Sequence, residues 1–407
     1  MPGIIKERRC LPSTRVNPAT IALAFSMALA QATPGACAQF YKVLYSFTGG
    51  ADGGIPQGGL VRDSSGSLYG TTLEGGTTTS SCPSGCGTVF EVDRDGNETV
   101  LHSFSGGVDG IGPRAGLVRD ADGNLYGTTQ QGGTHNQGTV FEVDAAGNET
   151  ILYSFTGQGG SQPFSSLVRD PRGNLYGTTP TGGAYDYGNV FKVTPAGTET
   201  VLYSFTGESD GGAPYDGLIS DSAGNLYGTA SDEVSESCVP FGLVQCGTVF
   251  ELNKAGTETV LYSFADTDNG SQPFGSLVRD AAGNLYGTTS VGGEYDRGTA
   301  FEVSPGSIVT LLHTFGAGTD GIGPMAGLVR DTAGNLYGTT YYGGLYGWGT
   351  VFKLDSTGAE TILYNFTGKK DGAEPVAGLV MDTAGNLYGT AQYGGAYDYG
   401  VVFALRP

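Results

Sequence analysis

Apolar residues in this chain come in short bursts, not in long or helix-spaced runs. One stretch reads G-L-V-R-D at 116–120, G-N-L-Y-G-T-T at 123–129, G-T-V-F-E-V-D at 138–144 and E-T-I-L-Y-S-F at 149–155. Each burst is rich in β-branched and aromatic residues and bounded by Gly, Asp or Asn, which predicts four short strands. No window pairs a 3.6-residue apolar period with capping residues, so no helix is predicted.

The four-burst unit recurs. Leu-Tyr-Gly places tyrosines at 69, 126, 176, 227, 286, 337 and 388, with steps of 57, 50, 51, 59, 51 and 51 residues. A period of this length means one supersecondary unit copied along the chain. Tight Asp-x-x-Gly-Asn turns, such as Asp120 to Asn124 and Asp144 to Asn148, join the first strand to the second and the third to the fourth. The other two connections are longer. The fold class predicted is all-β: a seven-bladed β-propeller of four-stranded antiparallel blades. Val43-Leu44-Tyr45-Ser46-Phe47 has the fourth-strand pattern, and Val401 to Leu405 the third. The N-terminal strand is therefore expected to complete the last blade and close the ring.

Residues 1–38 read as a signal peptide preceding a propeller over 39–407. Lys6, Arg8, Arg9 and Arg15 precede an apolar run from Ala19 to Ala30, and Ala36-Cys37-Ala38 forms a small-x-small cleavage site. A cut after Ala28-Leu29-Ala30 is the alternative; lipidation of Cys37 is disfavoured by Pro34. The expected location is extracellular or periplasmic. The formal net charge of −20 disfavours nucleic acid and anionic lipid as partners. The propeller region has no apolar run able to span a bilayer, and a monomer is expected. Cys82 with Cys86, and Cys238 with Cys246, lie close in sequence. In an oxidising compartment they predict two local disulfides in preference to zinc.

The motif G-L-V-x-D-x-x-G-N-L-Y-G-T-T-x-x-G-G, followed by G-T-V-F-x-V and E-T-V-L-Y-S-F, resembles the GloVer tandem repeat of secreted bacterial proteins. The resemblance covers nearly all of residues 39–407. No catalytic residues come with the motif. Many such proteins add a C-terminal sorting or anchor segment, whereas this sequence reaches Arg406-Pro407 directly after a strand pattern.

The longer connections share one face, where a site is expected. The second-to-third loops end in variable tips: Thr134-His135-Asn136-Gln137, Ala184-Tyr185-Asp186-Tyr187, Glu294-Tyr295-Asp296-Arg297, Leu345-Tyr346-Gly347-Trp348 and Ala396-Tyr397-Asp398-Tyr399. Aromatics beside carboxylates suit sugars, because a ring stacks on a pyranose while Asp takes its hydroxyls. The opposing explanation is that these tyrosines pack between blades; Trp348, Tyr187 and Tyr399 are the less regular members. The prolines of the fourth-to-first loops, with Asp52, Asp109, Asp210, Asp320 and Asp371 in Asp-Gly pairs, suggest turn chemistry rather than calcium. Arg62, Arg119, Arg169, Arg279 and Arg330 recur on the first strand and either ring an anion or pair with nearby carboxylates. His102 and His313 replace a strand tyrosine and read as structural. No metal or cofactor is expected. The sequence favours a secreted binding module for a glycan or cell-surface partner. A polysaccharide-acting hydrolase or lyase using loop carboxylates is the enzymatic alternative, and an adhesion scaffold the structural one.

Overall fold

The first piece of local structure is the turn between a blade's first two strands. Asp120 Oδ1 accepts from the amides of Asp122 and Asn124 at 3.0 and 2.9 Å. Its Oδ2 takes the Asn124 side-chain amide at 3.2 Å and the Tyr126 hydroxyl at 3.0 Å. Burial opposes the charge on Asp120, but the Asn124 amide, the Tyr126 hydroxyl and Arg169 outweigh it, and the carboxyl titrates below its usual range. Asp-x-x-Gly-Asn-x-Tyr is thus one hydrogen-bonded unit, which explains why turn and tyrosine recur together.

The computed structural model describes residues 40–231, 247–264, 268–316 and 319–407. Blade 1 consists of Val61–Arg62, Leu68–Thr72, Thr88–Val92 and Glu98–Ser103, hydrogen-bonded in chain order. Blades 2 to 6 repeat it. A single 3-10 turn, Gly107–Asp109, is the one helical element among the described residues. Blade 7 takes Val380–Met381, Leu387–Ala391 and Val401–Arg406 from the C-terminal end of the chain. Its outer strand is Phe40–Ser46, paired antiparallel from Phe40↔Arg406 to Ser46↔Val401. The ring closes as the sequence predicts.

The core lies in the seams between blades. Phe104, just after blade 1, packs edge-on against Phe141 of blade 2 with centroids 5.1 Å apart. The same T-shaped pair recurs at every seam, ending with Phe366–Phe403 and Phe47–Phe90. All of these rings are buried. First-strand arginines lie over the Leu-Tyr-Gly tyrosine of the preceding blade, for example Arg119 over Tyr69 at 5.4 Å and Arg62 over Tyr388 at 5.4 Å. Arg169 also meets Asp120 at 3.5 Å. These cations therefore sit in the seams over a neighbouring tyrosine, and among the described residues only Arg169 and Arg330 also meet a carboxylate of the preceding blade.

Cys82 and Cys86 form a disulfide, packed with Val89 and Phe104. Cys238 and Cys246 lie outside the described residues, as does the leader. Among the described residues no helix is long and apolar enough to cross a membrane.

Candidate functional site

Both long connections emerge on one face. In six of the blades, among the described residues, the entering linker bridges to that blade's second-to-third loop, as at Gly54↔Glu74, Ser161↔Thr181 and Ala373↔Tyr393. Each linker carries a proline, and the residue before it has positive φ: Ile55 at 56°, Gln162 at 53°, Ala213 at 48°, Gln272 at 55° and Glu374 at 54°, with glycine at 112 and 323. That conformation is unusual for a side-chain-bearing residue, above all for isoleucine. It is held from outside. The Ile55, Ala213 and Glu374 amides donate to the carbonyls of Tyr399, Tyr187 and Trp348, the last tip residues of the preceding blades, at 2.8, 2.9 and 2.9 Å. From within, buried Thr178, Thr288 and Thr339 hydroxyls donate to the linker carbonyls of Asp216, Ala326 and Ala377 at 3.0, 3.1 and 3.1 Å.

The linkers meet at the centre of the ring around a cavity of about 510 Å³. All seven blades contribute the residue after the proline. Gln57 and Arg114 come from the first two linkers; Phe164, Tyr215 and Phe274 follow, then Met325 and Val376. Phe164, Tyr215 and Phe274 form an arc, with successive centroids 5.6 and 5.5 Å apart. Arg114 lies 4.8 Å over the Phe164 ring and donates from Nε to Gln57 Oε1 at 2.7 Å. Gln57 Nε2 donates to Gln392 Oε1 at 2.8 Å. Gln392 Nε2 in turn donates to Glu374 at 3.1 Å and Tyr341 at 3.4 Å. Burial pulls the Arg114 guanidinium below its usual value. Asp216 is the only carboxylate among the described lining residues. Its oxygens accept the amides of Gly217 at 2.6 Å and Ser276 at 2.5 Å, and burial pushes its carboxyl up to about 6.

None of the loop-tip candidates lines this cavity. Tyr185, Tyr295, Tyr346, Trp348, Tyr397 and Tyr399 are exposed on four loops. Tyr187 is half-buried over Gly207, and Trp348 covers Gly368, where a β-carbon would meet the indole at 2.5 Å. Tyr399 covers Gly49 in the same way. Asp186, Asp296 and Asp398 have φ of 66°, 55° and 68° and accept the amides of Gly182, Gly292 and Gly394 at 3.0, 3.1 and 3.0 Å. One oxygen of each carboxylate is thereby committed to its own loop. His135 is exposed and bonds Thr134 at 2.9 Å.

The Asp-Gly aspartates sit at the outer seams. Tyr45 donates to Asp52 at 2.9 Å and Tyr203 to Asp210 at 2.8 Å; His102 meets Asp109 at 3.1 Å and His313 meets Asp320 at 3.2 Å. A glutamate from the next blade adjoins each of these four, whereas Asp371 meets Tyr364 and Tyr41 instead. In the two histidine seams, His102–Asp109–Glu149 and His313–Asp320–Glu360, the donor atoms lie within 4.8 Å of one another, a spacing that could hold a metal ion. The same places hold Tyr45–Asp52–Glu98 and Tyr203–Asp210–Glu258, so the trio belongs to the repeat's packing. Burial first, and Asp52, Asp109 and Asp210 second, push Glu98, Glu149 and Glu258 up to about 7 from an ordinary 4.5. The folded state thus holds protons that the unfolded chain releases. Their stabilising contribution is complete below about pH 4.5 and is lost as pH rises through about 7. Glu149→Gln, a neutral mimic of the protonated acid, is expected to raise the melting temperature by about 2 °C at pH 8 and hardly at all at pH 5. Thermal melts at the two pH values check it; an equal shift at both would detach the effect from this proton.

A family model described as the Gloeobacter/Verrucomicrobia repeat matches residues 25–241 and 238–407. The chain belongs to this family. No curated protein matches it in sequence. Among solved structures, virginiamycin B lyase from Staphylococcus aureus aligns with a TM-score of 0.59 at 13% identity, covering 91% of this chain and 99% of that one. The extracellular domain of a B. thetaiotaomicron hybrid two-component system aligns with a TM-score of 0.56 at 13% identity, covering 91% of this chain and 42% of that one. At such identities these likenesses show the fold alone.

In this Gloeobacter/Verrucomicrobia repeat protein, the feature that sequence reasoning missed is the residue after each proline. The signal was present. Between a constant proline and a following residue that is Gly, Ala or Ser in all but one repeat, that one position runs Gln, Arg, Phe, Tyr, Phe, Met and Val.

Proposed function

We propose that this propeller is a binding module that takes a short glycan into the central cavity of its long-loop face. The observation that carries this reading is the lining itself: an arc of three aromatic rings faces a chain of side-chain amides across about 510 Å³. Rings offer flat apolar faces to pyranoses, and amides both donate to and accept from hydroxyls. A single lining carboxylate already engaged with backbone amides gives less support to hydrolysis by paired carboxylates. The Cys82–Cys86 disulfide agrees with an oxidising compartment, and residues 1–38 supply the signal peptide in this reading. Tyr215→Ala is expected to weaken glycan affinity about tenfold or more in titration calorimetry. Unchanged affinity in that variant would remove the cavity from consideration.

A second reading is favoured by the exposed tips of blades 6 and 7, where Leu345, Tyr346 and Tyr397 are 60%, 54% and 60% exposed. These suit a cell-surface partner that spans adjacent loops. In that case Trp348→Ala would abolish binding and Tyr215→Ala would leave it intact.

A further inference from the structure

We propose that the ligand of the central cavity is acidic, a saccharide whose carboxylate pairs with Arg114. This rests on the glycan reading and sharpens it.

Arg114 is the one cationic residue among the described residues lining the cavity. Nothing in the repeat demands a cation there, since the equivalent positions hold Gln, Phe, Tyr, Phe, Met and Val. The five first-strand arginines all lie over a tyrosine of the preceding blade, and two of them, Arg169 and Arg330, also reach Asp120 and Asp280 at 3.5 and 4.0 Å. Among the described residues no carboxylate lies within ion-pairing distance of Arg114. A charge withdrawn from water without a counter-ion is costly, and a carboxylate on the ligand would supply that counter-ion.

The guanidinium is also prepared for the task. Its position over the Phe164 ring, 4.8 Å from the centroid, restrains it on one side. The bond from Nε to Gln57, itself braced by Gln392, fixes its rotation. Neither contact uses the two terminal nitrogens, whose paired N–H groups match a carboxylate bidentately. Beside them the aromatic arc receives the body of the sugar. The protein's net charge of −20 repels anions at a distance, so this is recognition at contact range, not long-range attraction.

Oligogalacturonate and its fully methyl-esterified form share one carbohydrate body and differ in charge. Titration calorimetry of the wild-type protein is expected to show the acid binding about ten- to a hundredfold more tightly than the ester. Arg114→Gln, checked for folding by its melt, is expected to erase that preference and keep ester binding. Arg114→Lys, which retains the charge without the fork, is expected to restore part of the preference. Equal wild-type affinity for acid and ester overturns the inference and leaves the glycan reading standing. A preference that survives in Arg114→Gln overturns the assignment to Arg114. Binding of neither, nor of neutral glycans on an array, overturns the glycan reading itself. The wild-type comparison needs no variant, so a misfolded substitution cannot shelter the proposal.

Discussion

Removal of residues 40–47 is expected to abolish cooperative folding, not merely to lower the melting point by a few degrees. This strand is the outer edge of blade 7 and supplies the strand pairing that joins the N-terminal segment to the C-terminal blade. Tyr41 stacks on Tyr364 of blade 6 at 3.8 Å, within 8° of parallel, and its hydroxyl donates to the Asp371 carbonyl. Burial raises that hydroxyl's pKa well above its usual value, as expected of a neutral donor inside a seam. Phe47 is fully buried against Phe90 of blade 1, and its amide donates to the Gly400 carbonyl at 3.0 Å. Truncating one such phenylalanine costs about 3–5 kcal/mol, and a whole domain is stable by only about 5–15 kcal/mol. The deletion also removes the strand ladder and exposes Val401–Arg406 as an open edge, which invites aggregation. Guanidinium unfolding followed by circular dichroism, together with size-exclusion chromatography, checks this. A monomeric variant with a near-wild-type transition would mean that closure contributes little.

The same strand shows how much was legible in the sequence. Repetition exposes the blade, because a feature copied seven times stands out from any single apolar run. Val43 to Phe47 could be assigned to blade 7 because it has the fourth-strand pattern and no partner nearby in sequence. The shared face of the long connections followed from strand alternation. Ring partners were less accessible. Arg62 lies over Tyr388, and nothing local to either residue indicates a stack that forms only across the closed ring. The tips were conspicuous for composition. Yet the setting of Tyr187 and Trp348 depends on how closely the neighbouring linker approaches, at Gly207 and Gly368. The cavity was hidden for the opposite reason. Its variable lining residues come one from each blade, and each of these sits beside a proline that by itself suggests only a turn. Variation at that position carried the information, whereas attention to recurrence selects the scaffold. His102 and His313 each take the strand tyrosine's place against an aspartate, a substitution the repeat made visible.

The glycine of Leu-Tyr-Gly is explained by packing, and this supports the other large prediction. Gly127 is not among the glycines with positive φ, so backbone freedom is not why it is glycine. It stands opposite Phe141 in the ladder. A β-carbon there would fall 2.6 Å from Phe141 Cζ, 3.0 Å from Cε1 and 2.9 Å from Leu117 Cδ2. The ring cannot retreat, because Phe104 of the preceding seam holds it edge-on at 5.1 Å. Gly287 and Gly338 lie under Phe301 and Phe352 in the same way, each with the β-carbon position 2.6 Å from the ring. Phe141→Ala is expected to cost about 3–5 kcal/mol through the cavity it leaves. Gly127→Ala is expected to cost about 1–3 kcal/mol through overpacking. The informative measurement is the cycle. In a Phe141→Leu background, which removes the ring's far edge, the cost of Gly127→Ala is expected to fall by at least about half, with Leu117 accounting for the remainder. Chemical denaturation of the four proteins yields the coupling. Costs that simply add would show that the phenylalanine ring is not what excludes a side chain from this position, and the recurrence of Leu-Tyr-Gly would need another cause.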